Sequence, residues 1–187
     1  MNHIRKKIST VKLCVLTGVL VLSLFNVVFS SQTVNAASVK TSTGVRNWLN
    51  AVKNKQVKAV GGFGGECVDL ARAYSQRFVG KDIGRASISG GAKDYARQGV
   101  PAGYVRINYK KGVTARTGDI VIWVKDGGGY GHMAVVYSVT GNNMVIYEQN
   151  YAGKRYVISN VVRNYDRIYK GTGGQVTAIL RPTNISS

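Results

Sequence analysis

The residues best suited to chemistry lie in Gly61-Gly-Phe-Gly-Gly-Glu-Cys-Val-Asp-Leu-Ala-Arg-Ala-Tyr74, where a glycine-rich loop runs into a helical pattern with Cys67 at the junction. The first N–H groups of a helix lack internal partners, and the helix dipole adds partial positive charge there. A thiolate is stabilised at such a place and can act as a nucleophile. The competing reading is a small apolar core residue at a helix start, the usual fate of a free cysteine. Asp69, in the first turn, suits the dipole, but with Glu66 it opposes thiol ionisation.

A thiol nucleophile needs a base, and the chain holds two histidines, His3 and His132. Residues 1–36 read as a secretory signal peptide. Arg5, Lys6, Lys7 and Lys12 are basic, Leu13 to Phe29 is mostly apolar, and Val34 and Ala36 are small residues before a cleavage point. An uncleaved membrane anchor is the competing reading of the same run, about 17 residues long. Cys14 stands at the start of that run, not at its end as a lipoprotein cysteine would. Cleavage removes Cys14 and His3 and leaves one cysteine, Cys67, and one histidine, His132. That excludes an intramolecular disulfide and a protein-only zinc site, which needs three or four ligands. It suffices for thiol–imidazole catalysis. The reading is therefore residues 1–36 as signal peptide, 37–43 as a short lead-in and 44–187 as one domain, secreted and wall-associated.

Charge narrows the partners. Removing four basic residues and no acid lowers the formal charge from +18 to +14. Such a surface is drawn to polyanions. The basic residues are scattered and show no nucleic-acid-binding signature. No amphipathic basic helix supports a membrane-disrupting antimicrobial, and no membrane partner is expected once the signal is gone.

The elements that must position these residues follow from periodicity. Val45, Trp48, Leu49 and Val52 predict a helix over Val45 to Val57, and Cys67, Leu70, Ala71, Tyr74 and Phe78 predict one over Cys67 to Phe78. A short helix is predicted from Ser89 to Gln98. Strands are predicted at Tyr104 to Tyr109, Asp119 to Val124, His132 to Thr140, Met144 to Asn150, Arg155 to Val162 and Gln175 to Arg181. The continuous apolar run of the second suggests a strand covered on both faces, and Gly127 to Gly131 is a loop. Asp119 shapes the turn before its strand, and Trp48 and Trp123 are core residues. Helices followed by a mostly antiparallel sheet of five or six strands make an α+β domain.

Alternation sorts the hairpin around Gly141-Asn-Asn143. His132, Ala134 and Val136 share one face, as do Met144, Ile146, Glu148 and Asn150. Pairing of the two strands brings a histidine, a carboxylate and an amide to one sheet edge. The carboxylate or amide can then fix the imidazole that serves Cys67. Taken singly, His132 reads as a structural histidine, and Glu148 and Asn150 as a solvated strand end. Tyr130, Tyr147 and Tyr151 are candidate substrate-binding residues, with surface positions as the equal alternative.

Gly65-Glu-Cys-Val-Asp-Leu-Ala71, Gly118-Asp-Ile-Val-Ile-Trp123, Gly131-His-Met-Ala-Val-Val136 and Tyr147-Glu-Gln-Asn150 together resemble a CHAP domain. These are cysteine, histidine-dependent amidohydrolases/peptidases with a papain-like core. The likeness spans roughly Val45 to Pro182. It implies a peptidoglycan hydrolase with Cys67 as nucleophile, His132 as base, Glu148 orienting His132, and Asn150 as a further polar residue of the site. The bond cut is either muramoyl-L-alanine (amidase) or one in the stem or cross-bridge (endopeptidase). The alternative is a non-catalytic wall- or polyanion-binding module on the same scaffold. No cofactor is implied, and a monomer is expected.

Three departures from the family pattern stand out. Many members carry Gln where this chain has Glu66, so the oxyanion donors are expected from the backbone, the Cys67 N–H among them. Lys58 to Gly65 has none of the carboxylates of the calcium loop found in some phage lysins, so no calcium is expected there. The one-domain reading leaves no separate wall-binding domain, and the +14 charge is expected to take that role by holding anionic wall polymers such as teichoic acid.

Overall fold

The computed structural model describes residues 40–124, 129–163 and 176–186. Residues 1–36, expected as a signal peptide, the first three residues of the lead-in, the start of the 127–131 loop and Gln175 of the last expected strand lie outside them.

Helix α1 spans Ser42–Val52. Thr41 caps it, its hydroxyl accepting the Gly44 N–H at 3.1 Å. Val45 and Leu49 are buried, while Trp48 and Val52 are partly buried against the same core. The helix stops five residues short of the expected Val57. A side chain from the sheet takes both main-chain groups of Val57: Gln149 Oε1 accepts its N–H at 2.7 Å and Gln149 Nε2 donates to its carbonyl at 2.9 Å.

Helix α2 spans Cys67–Phe78, as its apolar stripe requires. Leu70, Ala71, Tyr74 and Phe78 are buried, and the Tyr74 and Phe78 rings stack at 5.4 Å between centroids with Trp48 against both. Leu70 and Phe78 each contribute about 1.5–3 kcal/mol on burial. The helix expected over Ser89 to Gln98 is instead a five-residue 3₁₀ helix, Ala92–Ala96. The buried Asp94 carboxylate accepts the N–H groups of Ile88, Ser89 and Gly90 and the Ser89 hydroxyl. Those bonds hold residues 88–90 as a loop before the helix begins.

The six strands are β1 Tyr104–Asn108, β2 Ile120–Trp123, β3 His132–Thr140, β4 Asn143–Glu148, β5 Ile158–Val162 and β6 Val176–Pro182. They form one sheet in the order β1-β6-β2-β3-β4-β5, every neighbouring pair antiparallel. The fold is thus α+β, two helices and a six-stranded sheet. Asp119, just before β2, accepts the Arg116 N–H at 2.8 Å and pairs with Arg181 at 2.8 Å. β2 is buried on both faces. Ile120 and Ile122 join the core under the helices, while Val121 and Trp123 join a second core on the far face with Ala134, Val136 and Ile146. The β3–β4 hairpin has a two-residue turn, Gly141 and Asn142, and a bulge between Val136 and Ser138.

α2 packs on β3. The Tyr74 hydroxyl fixes it there by donating to the Gly118 carbonyl at 2.7 Å, both groups buried. Tyr74→Phe leaves that carbonyl without its partner and is expected to cost about 1–3 kcal/mol. A lower urea midpoint with unchanged slope is the expected result; an unchanged midpoint contradicts the assignment.

Candidate active site

Cys67 is the first residue of α2, and the loop before it is held from within the helix. The Asp69 carboxylate, fully buried, accepts the N–H groups of Phe63, Gly65 and Glu66 at 2.8–3.1 Å. Gly62 must be glycine beside it, since a Cβ would lie 1.9 Å from Asp69 Oδ1. Asp69 is thus committed to the main chain that presents the thiol.

His132 opens β3. Its Nε2 lies 2.7 Å from Glu148 Oε2, and Glu148 is fully buried. The other ring nitrogen, Nδ1, is left for Cys67, whose side chain is hydrogen-bonded to the imidazole. The ring lies between Trp123 and Tyr151, at centroid distances of 6.1 and 6.4 Å. Burial pulls the imidazole pKa down, but the hydrogen bonds and negative charges of Cys67 and Glu148 outweigh it and push it up to about 10. The imidazole is therefore a strong acceptor for a proton, beside the side chain of Cys67. Gly131, at φ +70°, precedes the histidine; a Cβ there would meet the Trp123 carbonyl at 2.6 Å and the Lys93 nitrogen at 2.8 Å.

The end of β4 supplies three consecutive polar residues with three different partners. Glu148 faces His132, and Asn160 Nδ2 on β5 donates to its other oxygen, Oε1. Gln149, fully buried, binds both main-chain groups of Val57 and donates to the Glu66 carbonyl at 3.0 Å. Asn150, at φ +57°, donates from Nδ2 to Glu66 Oε2 at 2.5 Å. Glu66 Oε1 also meets Arg155 at 3.0 Å. The Glu66 charge is thus countered by Arg155, and the Asn150 amide serves Glu66 rather than the imidazole.

These groups border a cleft of about 690 Å³. Glu66, Cys67, Val68, His132 and Asn150 line it on one side, and Ser89 to Ala92 with Tyr130 and Gly131 on the other. Lys93 N–H donates to the Tyr130 carbonyl at 2.9 Å and joins the second wall to the loop before β3. Phe63 and Tyr130 are exposed at the margins. Among the described residues no three His, Cys, Asp or Glu side chains gather as a metal would require.

The structure thus brings Cys67, His132 and Glu148 together, with Asn150 in the cleft wall and Tyr130 at the mouth. It does not bring Tyr147 there. That side chain points to the helix face, buried, stacked on Tyr137 at 5.3 Å and donating to Asn50. Tyr151 lies against His132 but outside the cleft lining. Sequence reasoning missed Gln149, Asn160 and Asp94. Gln149 was adjacent to the recognised pair, and its polarity inside a buried strand end was the available signal.

The backbone resembles the crystal structure of Ly7917, with TM-score 0.57 and 25% identity over 76% of this chain and 62% of that one. It resembles the wild-type endolysin LysIME-EF1 similarly, with TM-score 0.56 and 25% identity over 76% of this chain and 64% of that one. The chain spans less than two thirds of the length of either protein. The CHAP domain family model matches residues 56–150, which include Cys67, His132, Glu148 and Asn150. With half of its length matched in this way, the chain belongs to the CHAP domain family.

Proposed function

We propose that this protein is a thiol-dependent hydrolase of amide bonds in the peptide part of peptidoglycan, exported and acting at the cell wall. The observation that carries this is the contact of Cys67, at a helix N-terminus, with an imidazole held by the buried Glu148, at the side of an open cleft. The membership in the CHAP family and the likeness to an endolysin support peptidoglycan as the substrate.

The Cys67 sulfur attacks the scissile carbonyl carbon. The developing oxyanion lies within reach of the Cys67 N–H, one of the unpaired donors of the first turn. His132 then passes its Nδ1 proton to the departing amine, and a thioester remains on Cys67. A water molecule gives a proton to the now neutral imidazole and attacks the thioester, which releases the acid and restores the thiolate–imidazolium pair. Glu148 keeps Nε2–H engaged throughout, and Asn160 keeps Glu148 in place. Amidase and endopeptidase differ only in which bond occupies the cleft.

Cys67→Ala is expected to abolish the release of new amino termini from purified walls. Mass spectrometry of the wild-type products separates the two activities: a lactyl-bearing sugar with a new L-alanine terminus means amidase, and cuts elsewhere in the peptide mean endopeptidase. New reducing sugar ends without new amines reject the proposal.

The pH dependence follows from His132. A folded pKa raised above 6.5, to about 10, means stabilisation that is complete below pH 6.5 and lost as pH rises through about 10. The alkaline limb of the pH dependence of wall hydrolysis, where the imidazolium proton needed by the leaving amine is lost, is expected near that value. Glu148→Gln removes one cause of the upward shift and is expected to move the limb to lower pH; an unmoved limb contradicts the role given to Glu148.

Gln149→Met removes three hydrogen bonds to the loop that carries Cys67. It is expected to lower kcat by about 10²-fold with little change in KM, through misplacement of the thiol. Circular dichroism on the same sample checks that the protein remains folded. Full activity in a folded variant contradicts the positioning role.

A further inference from the structure

Beside the cleft two segments carry positive charge on one surface. Lys53, Lys55 and Lys58 follow α1, and Lys154 and Arg155 follow β4; all five are exposed. The segments are stitched together: Asn54 N–H donates to the Val157 carbonyl at 2.8 Å, and Val157 N–H to the Lys55 carbonyl at 2.9 Å. They converge on Gly65, where a Cβ would lie 2.6 Å from Gln56 Nε2 and 3.1 Å from the Arg155 carbonyl oxygen. The only carboxylate at this ridge among the described residues is Glu66, which Arg155 engages. The other described carboxylates are committed elsewhere: Asp69 and Asp94 to main-chain N–H groups, Asp82 to Arg72, Asp119 to Arg181 and Glu148 to His132.

We infer that this ridge is a docking surface for a linear phosphodiester polymer of the cell wall, which holds the enzyme with its cleft against the adjoining peptide. The choice of a wall polymer rests on the function proposed above. Four of the five cations are lysines, compact point charges on flexible stems that follow a chain of phosphates without requiring one fixed geometry. The ridge abuts the cleft through Glu66 and Asn150, which line it. A polymer on the ridge therefore runs alongside the bond to be cut, and the attraction raises the local concentration of wall at the thiol.

The test compares two fourfold neutralisations of equal charge, both in a Cys67→Ala background so that hydrolysis plays no part. One is K53Q/K55Q/K58Q/K154Q on the ridge; the other is K81Q/R97Q/K110Q/K111Q elsewhere on the surface. Binding is measured to intact walls, to walls stripped of phosphate polymer by hydrofluoric acid, and to phosphatidylglycerol vesicles. The ridge variant is expected to bind intact walls about tenfold more weakly, the other variant to change by less than about threefold, and the ridge effect to vanish on stripped walls. Equal losses in the two variants, no loss in either, a ridge effect that persists on stripped walls, or one confined to vesicles would each overturn the inference. A wild-type protein that cuts no wall peptide while showing the ridge effect rejects the proposed hydrolase and leaves the docking surface standing.

Discussion

The geometry of the site depends on one buried amide. Gln149 is tied to the sheet by its place directly after β4, yet each of its hydrogen bonds goes to the loop between the helices, at Val57 and at Glu66. Its neighbour Glu148 holds His132. The thiol and the imidazole thus come from different layers but are referred to the same two residues of backbone. A buried side-chain amide without partners is costly, so the register that satisfies Gln149 is also the register that aligns Cys67 with His132. The stability of the junction and the alignment of the thiol with the imidazole arise from the same contacts.

The two walls of the cleft repeat one construction. Asp69 is the third residue of α2 and Asp94 the third of the 3₁₀ helix. Each is buried and accepts three N–H groups from the loop before its own helix. For Asp94, burial raises the carboxyl pKa, but the bonds from Ser89, Ile88 and Gly90 win and hold it below the ordinary value. Glycine-rich loops are otherwise the least ordered parts of a chain. Here a single buried carboxyl side chain supplies the order that their composition withholds, on both sides of the cleft.

Much of this was legible in the residues. Period-2 alternation grouped His132 with Val136 on one strand and Ile146 with Glu148 on the other, and the bulge between Val136 and Ser138 offsets the two-residue turn so that Val136 pairs with Ile146 and the two groups share a face. The stripe from Cys67 to Phe78 marked α2 because its core contacts are spaced three and four residues apart. What stayed hidden was tertiary. Nothing near Val57 shows that Gln149, 92 residues later, will take its main chain and end the helical run early. Asn160 reaches Glu148 diagonally across β4–β5, a contact that depends on a register fixed only when the sheet forms. Tyr147 looked like a groove residue from its neighbours in sequence, but alternation turns it to the helix side, where Asn50 waits for its hydroxyl.

The position of β6 decides when the cleft and its thiol–imidazole pair can assemble. This strand, Val176–Pro182, lies between β1 and β2 and pairs with both. During synthesis, a chain that has not yet delivered it exposes an edge of β2 and leaves β1 without its neighbour. Such long-range pairing is slow to form, because the loop must close before its contacts can reward it. The β3–β4 hairpin and α2 can form early from local contacts, yet the sheet beneath them is incomplete until the late strand is inserted. Assembly of the thiol–imidazole pair on a complete sheet therefore waits for β6, the last of the six strands to be made.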